Sequence, residues 1–213
     1  MKPKTLTLRP DEVARFLRPS GLVVIPVKPQ PGIVHAEWVG VPPSAVQQWS
    51  QWDSVASSKR PLTCPLGGPG TEWVGREAWF PCRSIGFPCK PSEASYVCFR
   101  DGEQQYRDGK HSKWTLKDPP NWKAERHVFL PARRMPLWAA RIRKTTTRVE
   151  LRRVRTISDD EIKATGIEPD RATDHPRGVW YTAFMAEFNA RYPDAWDRDD
   201  YCWFVFYTDT KAT

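Results

Sequence analysis

The chain has 213 residues, 12% of them aromatic, and no stretch approaches the 18 consecutive apolar residues expected of a membrane-spanning helix. Its length favours one domain with a buried core, and its 11 tryptophans exclude a disordered chain. The 33 Lys and Arg outnumber the 25 Asp and Glu, and the first residues lack an apolar stretch of signal-peptide length. We therefore expect a basic cytoplasmic protein without membrane contact.

The first part of the chain predicts short elements joined by turns. Alternation over residues 6–8 indicates a strand, and Pro10 followed by two acids opens a short helix that Pro19 ends. The apolar run at 22–27 indicates the next strand. Residues 32–63 have no clear period, and we expect them to form a hairpin or long loop insertion.

The middle of the chain predicts strands interrupted by irregular segments. Residues 72–80 indicate one strand, which carries Arg76 and Glu77, and residues 95–99 indicate another. Residues 81–91 show no regular pattern, and we expect them to form irregular structure. The polar stretch 101–126, with Asp-Gly turns, is expected to be an exposed insertion.

The last third carries the clearest local signals. Residues 141–154 alternate between apolar and charged side chains, which predicts a long, half-exposed strand. Ser158 and Glu161 form a capping box at the start of a short helix that stops at Gly166. A second helix at about 179–192 precedes a fully buried strand at 201–208. Many short strands with few helices predict an α+β protein built on a small β-barrel with packed helices.

The excess positive charge is concentrated in residues 133–155. This window holds nine basic residues and one acid, so its net charge equals the +8 of the whole chain. Clustered arginine is the electrostatic signature of a nucleic-acid binder, although a solvated strand face would have the same composition. The residues that we expect to grip phosphates are Arg133, Arg134, Arg141, Arg143 and Lys144.

Strand alternation limits how these side chains can act together. Arg141 and Arg143 share one face of the predicted strand, whereas Lys144 points to the other. Trp138 lies among the bases and could stack on a nucleobase, or it could belong to the core. Glu77, beside Arg76, could contact a base edge, act as a general acid or base, or be a structural partner of an arginine.

Cysteine spacing argues against a metal site. The five cysteines include no Cys-x-x-Cys pair, and the four histidines are scattered. We expect reduced, partly buried thiols and neither metal nor cofactor.

Several blocks of the sequence resemble the ASCH domain in its phage and prophage form. Residues 70–79, Gly-Thr-Glu-Trp-Val-Gly-Arg-Glu-Ala-Trp, resemble its Gly-Asp-x-Leu-Trp-Val-Arg-Glu-Thr-Trp segment. Residues 135–142 resemble its Met-Pro-Arg-Trp-Ala-Ser-Arg-Ile. Further matching blocks lie at 64–67, 149–167 and 188–206, so the resemblance covers roughly three quarters of the chain. It implies one PUA-like domain over residues 1–213, with insertions near 32–63 and 101–126.

The resemblance also implies a role in binding RNA or a modified nucleotide. One branch of the family deacylates acetylated cytidine with a Lys, a Thr and a Glu. Alignment on residues 28–31, Lys-Pro-Gln-Pro, puts the Lys position at Ser20 and the Thr position at Val23, and only Glu77 matches. This departure leaves it uncertain whether the chain is an enzyme.

Three functional hypotheses follow. The first is a module of phage type that binds RNA, single-stranded DNA or a modified nucleotide, with Arg76 and Trp138 assisting the basic segment. The second is an enzyme that hydrolyses a modified nucleoside or RNA, with Glu77 central. The third is a phage protein that binds a host protein through its tryptophan-rich insertion.

Overall fold

The computed structural model describes residues 3–9, 11–31, 34–39, 46–53, 58–84, 87–88, 90–99, 103–107, 111–113, 129–169 and 178–210. Over these ranges the protein is α+β, with many strands and few helices. The strands are β1 (Lys4–Thr7), β2 (Ser20–Pro26), β3 (Val34–Val39), β4 (Val46–Asp53), β5 (Ser58–Leu62), β6 (Glu72–Arg76), β7 (Trp79–Ser84), β8 (Phe87–Pro88), β9 (Tyr96–Phe99), β10 (Glu103–Tyr106), β11 (His111–Lys113), β12 (Ile142–Arg153) and β13 (Tyr201–Asp209). The helices are α1 (Val13–Phe16), α2 (Asp159–Ala164) and α3 (Gly178–Arg191).

The chain divides into two compact units. The first unit contains residues 1–19, 72–144 and 209–213, and the second contains residues 20–71 and 145–208. Strand β12 begins in the first unit and continues in the second. No α-helix over the described ranges is long and apolar enough to cross a membrane.

The first unit is built around two groups of strands. Strand β1 pairs in parallel with β6, which neighbours β12 on its other side. A Cβ atom at Gly75 of β6 would lie 2.7 Å from Leu8 and 2.8 Å from Ile142, so only glycine permits this close approach. The other group is an antiparallel sheet in the order β11-β10-β9-β7-β8.

Each face of that antiparallel sheet covers its own apolar cluster. On one face, Trp79, Val97 and Phe99 pack with Met135 and Ala139 from the segment that precedes β12. The opposite face carries a second cluster, formed by Phe80, Cys82, Tyr96 and Cys98. Because alternate residues of a strand point to opposite faces, β7 and β9 contribute to both clusters.

In the second unit, β13 pairs antiparallel with β2 and neighbours β12. Helices α2 and α3 contribute to the same core as these strands, which is rich in aromatic residues. The Trp196 ring meets Phe184 edge-on at 5.9 Å and Tyr181 at 4.9 Å. Such pairs add about 0.5–1.5 kcal/mol each beyond the area they bury. Strands β3, β4 and β5 form a separate three-stranded sheet.

Several predictions from the sequence are confirmed in the second unit. The capping box is present, because the Ser158 side chain accepts from the Glu161 backbone while the Glu161 carboxylate accepts from the Ser158 backbone. Helix α2 ends before Gly166, whose φ of 75° suits a residue without a side chain. Helix α3 and the buried strand β13 also lie where the sequence pattern indicated.

Other predictions were wrong in detail. The strand expected over residues 72–80 is two strands, with Glu77 at the break between them. The segment 81–91, expected to be irregular, continues β7 to Ser84 and includes β8. The described part of the supposed exposed insertion 101–126 forms β10 and β11, and Gln104 and Gln105 are buried. The rest of that segment, at 101–102, 108–110 and 114–126, lies outside the described residues.

The described cysteines are reduced and buried, namely Cys64, Cys82, Cys98 and Cys202. The Cys82 and Cys98 sulfur atoms lie 3.6 Å apart across β7 and β9. The hydrogen bond with Cys82, followed by burial, raises the pKa of Cys98. Burial raises the pKa of Cys202, and two nearby carboxylates add to the effect. These two thiols are therefore poor nucleophiles at neutral pH.

Candidate nucleic-acid interface

All eight predicted site residues belong to the first unit, where residues 131–144 hold most of them. This segment contains two single 3-10 turns, Ala132–Arg134 and Leu137–Ala139, before β12 begins. Pro131 and Pro136 each stand immediately before one of the turns, where a fixed φ favours the tight conformation. The turns and the start of β12 bring exposed and buried basic residues into one short stretch.

Arg133 and Arg134 are exposed on the first turn. Neither guanidinium has a partner over the described ranges of the chain. A free guanidinium offers five N–H donors in a planar fork that matches phosphate. These two side chains are therefore exposed without a contact that a ligand would have to displace over the described ranges.

Arg76 and Arg143 hold the backbone of the same segment. The Arg76 Nη1 donates to the Arg133 carbonyl oxygen at 3.1 Å, and the Arg143 Nη2 donates to the Leu137 carbonyl oxygen at 3.0 Å. Each bond uses one N–H group of a guanidinium. Arg143 is exposed, and Arg76 is half-buried with a buried Nε that has no hydrogen-bond partner. Each of the two guanidinium groups therefore retains N–H donors that are not used to hold the turns.

Trp138 joins the aromatic core to this basic surface. Its ring is half-buried against the cluster that contains Trp79 and Phe99. The Arg107 guanidinium carbon lies 5.2 Å from the centre of the Trp138 ring, within the range of a cation–π contact. Trp138 is thus partly accessible and has a cationic neighbour, and its role in stacking on a base stays a prediction.

Arg141 lies in a different environment from the exposed arginines. Its side chain is 4% exposed, and it donates from Nε and Nη2 to the two carboxylate oxygens of Glu77 at 2.7 and 2.9 Å. The guanidinium carbon also lies 4.2 Å from the centre of the Phe99 ring, and Nη1 lies 3.3 Å from a Glu103 oxygen. Contact between Arg141 and a phosphate stays a prediction, and it would require this arrangement to open.

Lys144 is also buried and paired. Its side chain is 2% exposed, with Nζ donating to the Arg18 carbonyl oxygen at 2.6 Å and forming an ion pair with Asp209. Arg143 is exposed and Lys144 buried on consecutive positions of β12, consistent with strand alternation. A role for Lys144 in phosphate binding likewise stays a prediction.

Glu77 stands at the break between β6 and β7 and is 4% exposed. Both of its carboxylate oxygens accept hydrogen bonds from Arg141, which is the bidentate geometry of a structural ion pair. A catalytic role for Glu77 stays a prediction. Over the described ranges, no group of three or more His, Cys, Asp or Glu side chains could hold a metal ion.

The sequence reasoning missed a cavity beside Arg107. The cavity has a volume of about 400 Å³ and is lined by Glu93, Ala94, Ser95, Tyr106 and Arg107. Three of these residues precede β9, and Tyr106 and Arg107 stand at the end of β10. The aromatic residue and arginine at 106–107 were the available signal, but they fell within a stretch that was interpreted as an exposed insertion.

Comparison of the chain with protein-family models, with curated proteins and with solved structures finds no match.

Proposed function

We propose that this chain binds single-stranded nucleic acid, RNA or DNA, through the surface formed by Arg133, Arg134, Trp138 and Arg143. The observation that carries the proposal is the exposure of Arg133 and Arg134, without partners over the described ranges, next to a half-buried tryptophan. Arginine contacts with phosphates supply affinity, and an aromatic ring supplies a stacking surface for a base.

A single strand suits this surface better than a duplex. The aromatic platform is useful only where bases are unpaired, because bases in a duplex already stack on each other. The cationic groups are also few and close in sequence, which suits a short stretch of backbone. A modified nucleotide carried by such a strand, as the ASCH resemblance implies, would occupy the same platform.

We further propose that the strand-rich fold is of the PUA-like β-barrel type. The α+β composition and the order of the resembling blocks support this assignment. If it holds, the two blocks quoted from the ASCH pattern, residues 70–79 and 135–142, supply Trp138 and the turn-holding Arg76, and Arg133, Arg134 and Arg143 flank the second block in sequence. A crystal structure of the protein with a bound oligonucleotide would test both the fold type and the contacts.

The salt dependence of binding tests the role of the exposed arginines. Fluorescence anisotropy with single- and double-stranded RNA and DNA would compare the wild type with Arg133→Gln/Arg134→Gln over a series of salt concentrations. Loss of two phosphate contacts should reduce the slope of log K against log salt by about 1.4 for a single strand. The matched control is Arg60→Gln/Lys163→Gln, which removes two exposed charges elsewhere and should leave the slope unchanged.

The stacking contribution is tested by Trp138→Ala, with Trp138→Phe as the conservative variant. Loss of the ring should cost about 1–3 kcal/mol of binding, and phenylalanine should restore part of it. Binding that is indifferent to all of these variants would overturn the proposal. Cleavage of the oligonucleotide by the wild type, abolished in Glu77→Gln, would instead favour the hydrolase hypothesis.

A further inference from the structure

The cavity next to Arg107 contains opposite charges that are not paired with each other. Glu93 and Arg107 both line it and both are exposed, yet no ion pair joins them. Over the described ranges, Glu93 has no charged partner, and the recorded contact of the Arg107 guanidinium is the Trp138 ring. Both groups therefore keep their charge and their hydrogen-bonding capacity for a ligand.

The walls of the cavity are held by the sheet. The Arg107 N–H donates to the Ser95 carbonyl oxygen at 3.0 Å, and the Ser95 N–H donates to the Cys82 carbonyl oxygen at 2.9 Å. The Tyr106 hydroxyl donates to the Gln104 Oε1 at 3.0 Å, and its ring stacks on Tyr96 with centroids 5.0 Å apart. These contacts hold the Tyr106 ring in place where it lines the cavity.

The size and chemistry of the cavity limit the class of ligand. It has a volume of about 400 Å³ and is largely open to solvent, so it would contact a bound group from one side rather than enclose it. An aromatic ring beside a guanidinium fits a flat heterocycle joined to a phosphate. A carboxylate in the same cavity accepts hydrogen bonds and donates none, so the heterocycle must present donors to it.

Resting on the proposed function, we propose that this cavity binds one guanine nucleotide of the strand. Guanine presents two adjacent donors, N1–H and the 2-amino group, which match the two oxygens of the Glu93 carboxylate. In adenine and cytosine, the amino group stands beside a ring nitrogen that accepts hydrogen bonds. In uracil, the single N–H group stands between two carbonyl oxygens. Each of these three bases would therefore place an acceptor against the Glu93 carboxylate, which repels it. Tyr106 stacks on the base and Arg107 binds the phosphate.

The position of Arg107 links this site to the rest of the interface. Its guanidinium lies over Trp138 and also borders the cavity, so the nucleotide in the cavity would be a neighbour of the base on the tryptophan. The nucleotide adjoining the Trp138 platform is then the position that sets the sequence preference of the strand. The arginines at 133, 134 and 143 contribute affinity without regard to base.

The first experiment is calorimetric titration of the whole protein with GMP, AMP, CMP and UMP. We expect GMP to bind about ten- to a hundredfold more tightly than the others, as one bidentate base contact would give. Glu93→Gln should remove this preference, whereas Glu72→Gln, an exposed carboxylate elsewhere in the first unit, should keep it. Arg107→Gln should weaken GMP but not guanosine.

A parallel titration with oligouridine separates this inference from the proposed function. Salt-dependent oligouridine binding that requires Arg133 and Arg134, together with equal binding of the four nucleotides, would overturn the guanine site and leave the proposed function standing. A guanine preference without any oligonucleotide binding would support a site for the free nucleotide, but it would refute the proposed function and the placement of the guanine within a strand. A guanine preference that survives Glu93→Gln would overturn the assignment of the carboxylate.

Discussion

Removal of either partner of the buried pair between Glu77 and Arg141 should destabilise the protein strongly. Glu77→Leu leaves a guanidinium whose side chain is 4% exposed without its bidentate partner. Breaking a buried ion pair in this way typically costs about 3–5 kcal/mol. That loss is a large fraction of the roughly 5–15 kcal/mol that stabilises a typical protein.

The neighbours of Arg141 cannot replace Glu77. The Glu103 carboxylate lies 3.3 Å from Nη1, but its side chain is 41% exposed, so water screens its interaction with the buried Arg141 charge in part. The cation–π contact with Phe99 adds about 0.5–2 kcal/mol and persists in the variant. The expected loss therefore lies toward the lower end of the range of about 3–5 kcal/mol, because Glu103 and Phe99 still contact the Arg141 guanidinium.

A double-mutant cycle separates this structural role from a catalytic one. Urea unfolding would be measured for Glu77→Leu, Arg141→Met and the double variant, which leaves no unpaired charge and should recover most of the stability. A loss below about 1 kcal/mol in both single variants would refute the reasoning. If such a mild Glu77 variant also lost binding or turnover, the carboxylate would belong to the functional site.

Three further outcomes are expected. Burial alone would raise the pKa of Glu161, but the hydrogen bond from the Ser158 backbone and the charge of the Arg152 guanidinium outweigh burial and lower that pKa. The ionised Glu161 carboxylate therefore stabilises the folded protein above about pH 4.3, the usual pKa of glutamate, and this stabilisation is lost as the pH falls and the carboxylate is protonated. Glu161→Gln keeps an acceptor for the Ser158 backbone but loses the charge that pairs with Arg152, so it should destabilise the protein more at pH 7 than in acid, as measured by urea unfolding. The buried Gln105 Oε1 has no hydrogen-bond partner over the described ranges, so Gln105→Met should change thermal stability little or raise it, and a large loss would contradict this. Arg76→Gln should weaken oligonucleotide binding with an unchanged salt slope, because Arg76 positions a turn; a slope reduced by about 0.7 would show a phosphate contact.

Elements with a complete local signal could be predicted from the sequence. Ser158 and Glu161 stand three residues apart and form the capping box without help from the rest of the chain. The apolar run of β13 is equally self-contained, because a strand buried on both faces needs no alternation. The prediction of an exposed segment was wrong at Gln104 and Gln105, which are buried. Two consecutive polar amides predict exposure, and the sequence does not show that a neighbouring strand covers them.

The candidate site was harder to predict because its decisive contacts are distant in sequence. Glu77 and Arg141 are 64 residues apart, and nothing near either residue identifies the other as its partner. A charge count treats Arg133 and Lys144 alike, although one is exposed and the other is 2% exposed. The sequence therefore predicted a basic segment but not which of its charges are available.

The buried and exposed arginines of the first unit have complementary roles. Arg141 is fixed by Glu77 at the start of β12, while Arg76 and Arg143 bind carbonyl oxygens of the two 3-10 turns. Because the backbone of residues 131–144 is already fixed, it loses little further conformational entropy when a ligand binds. Contacts of the exposed arginines with a ligand would then contribute to affinity without an added cost for ordering the backbone. The basic segment is thus used unevenly: Arg141, Arg76 and Arg143 hold its backbone, and Arg133 and Arg134 remain exposed on its first turn.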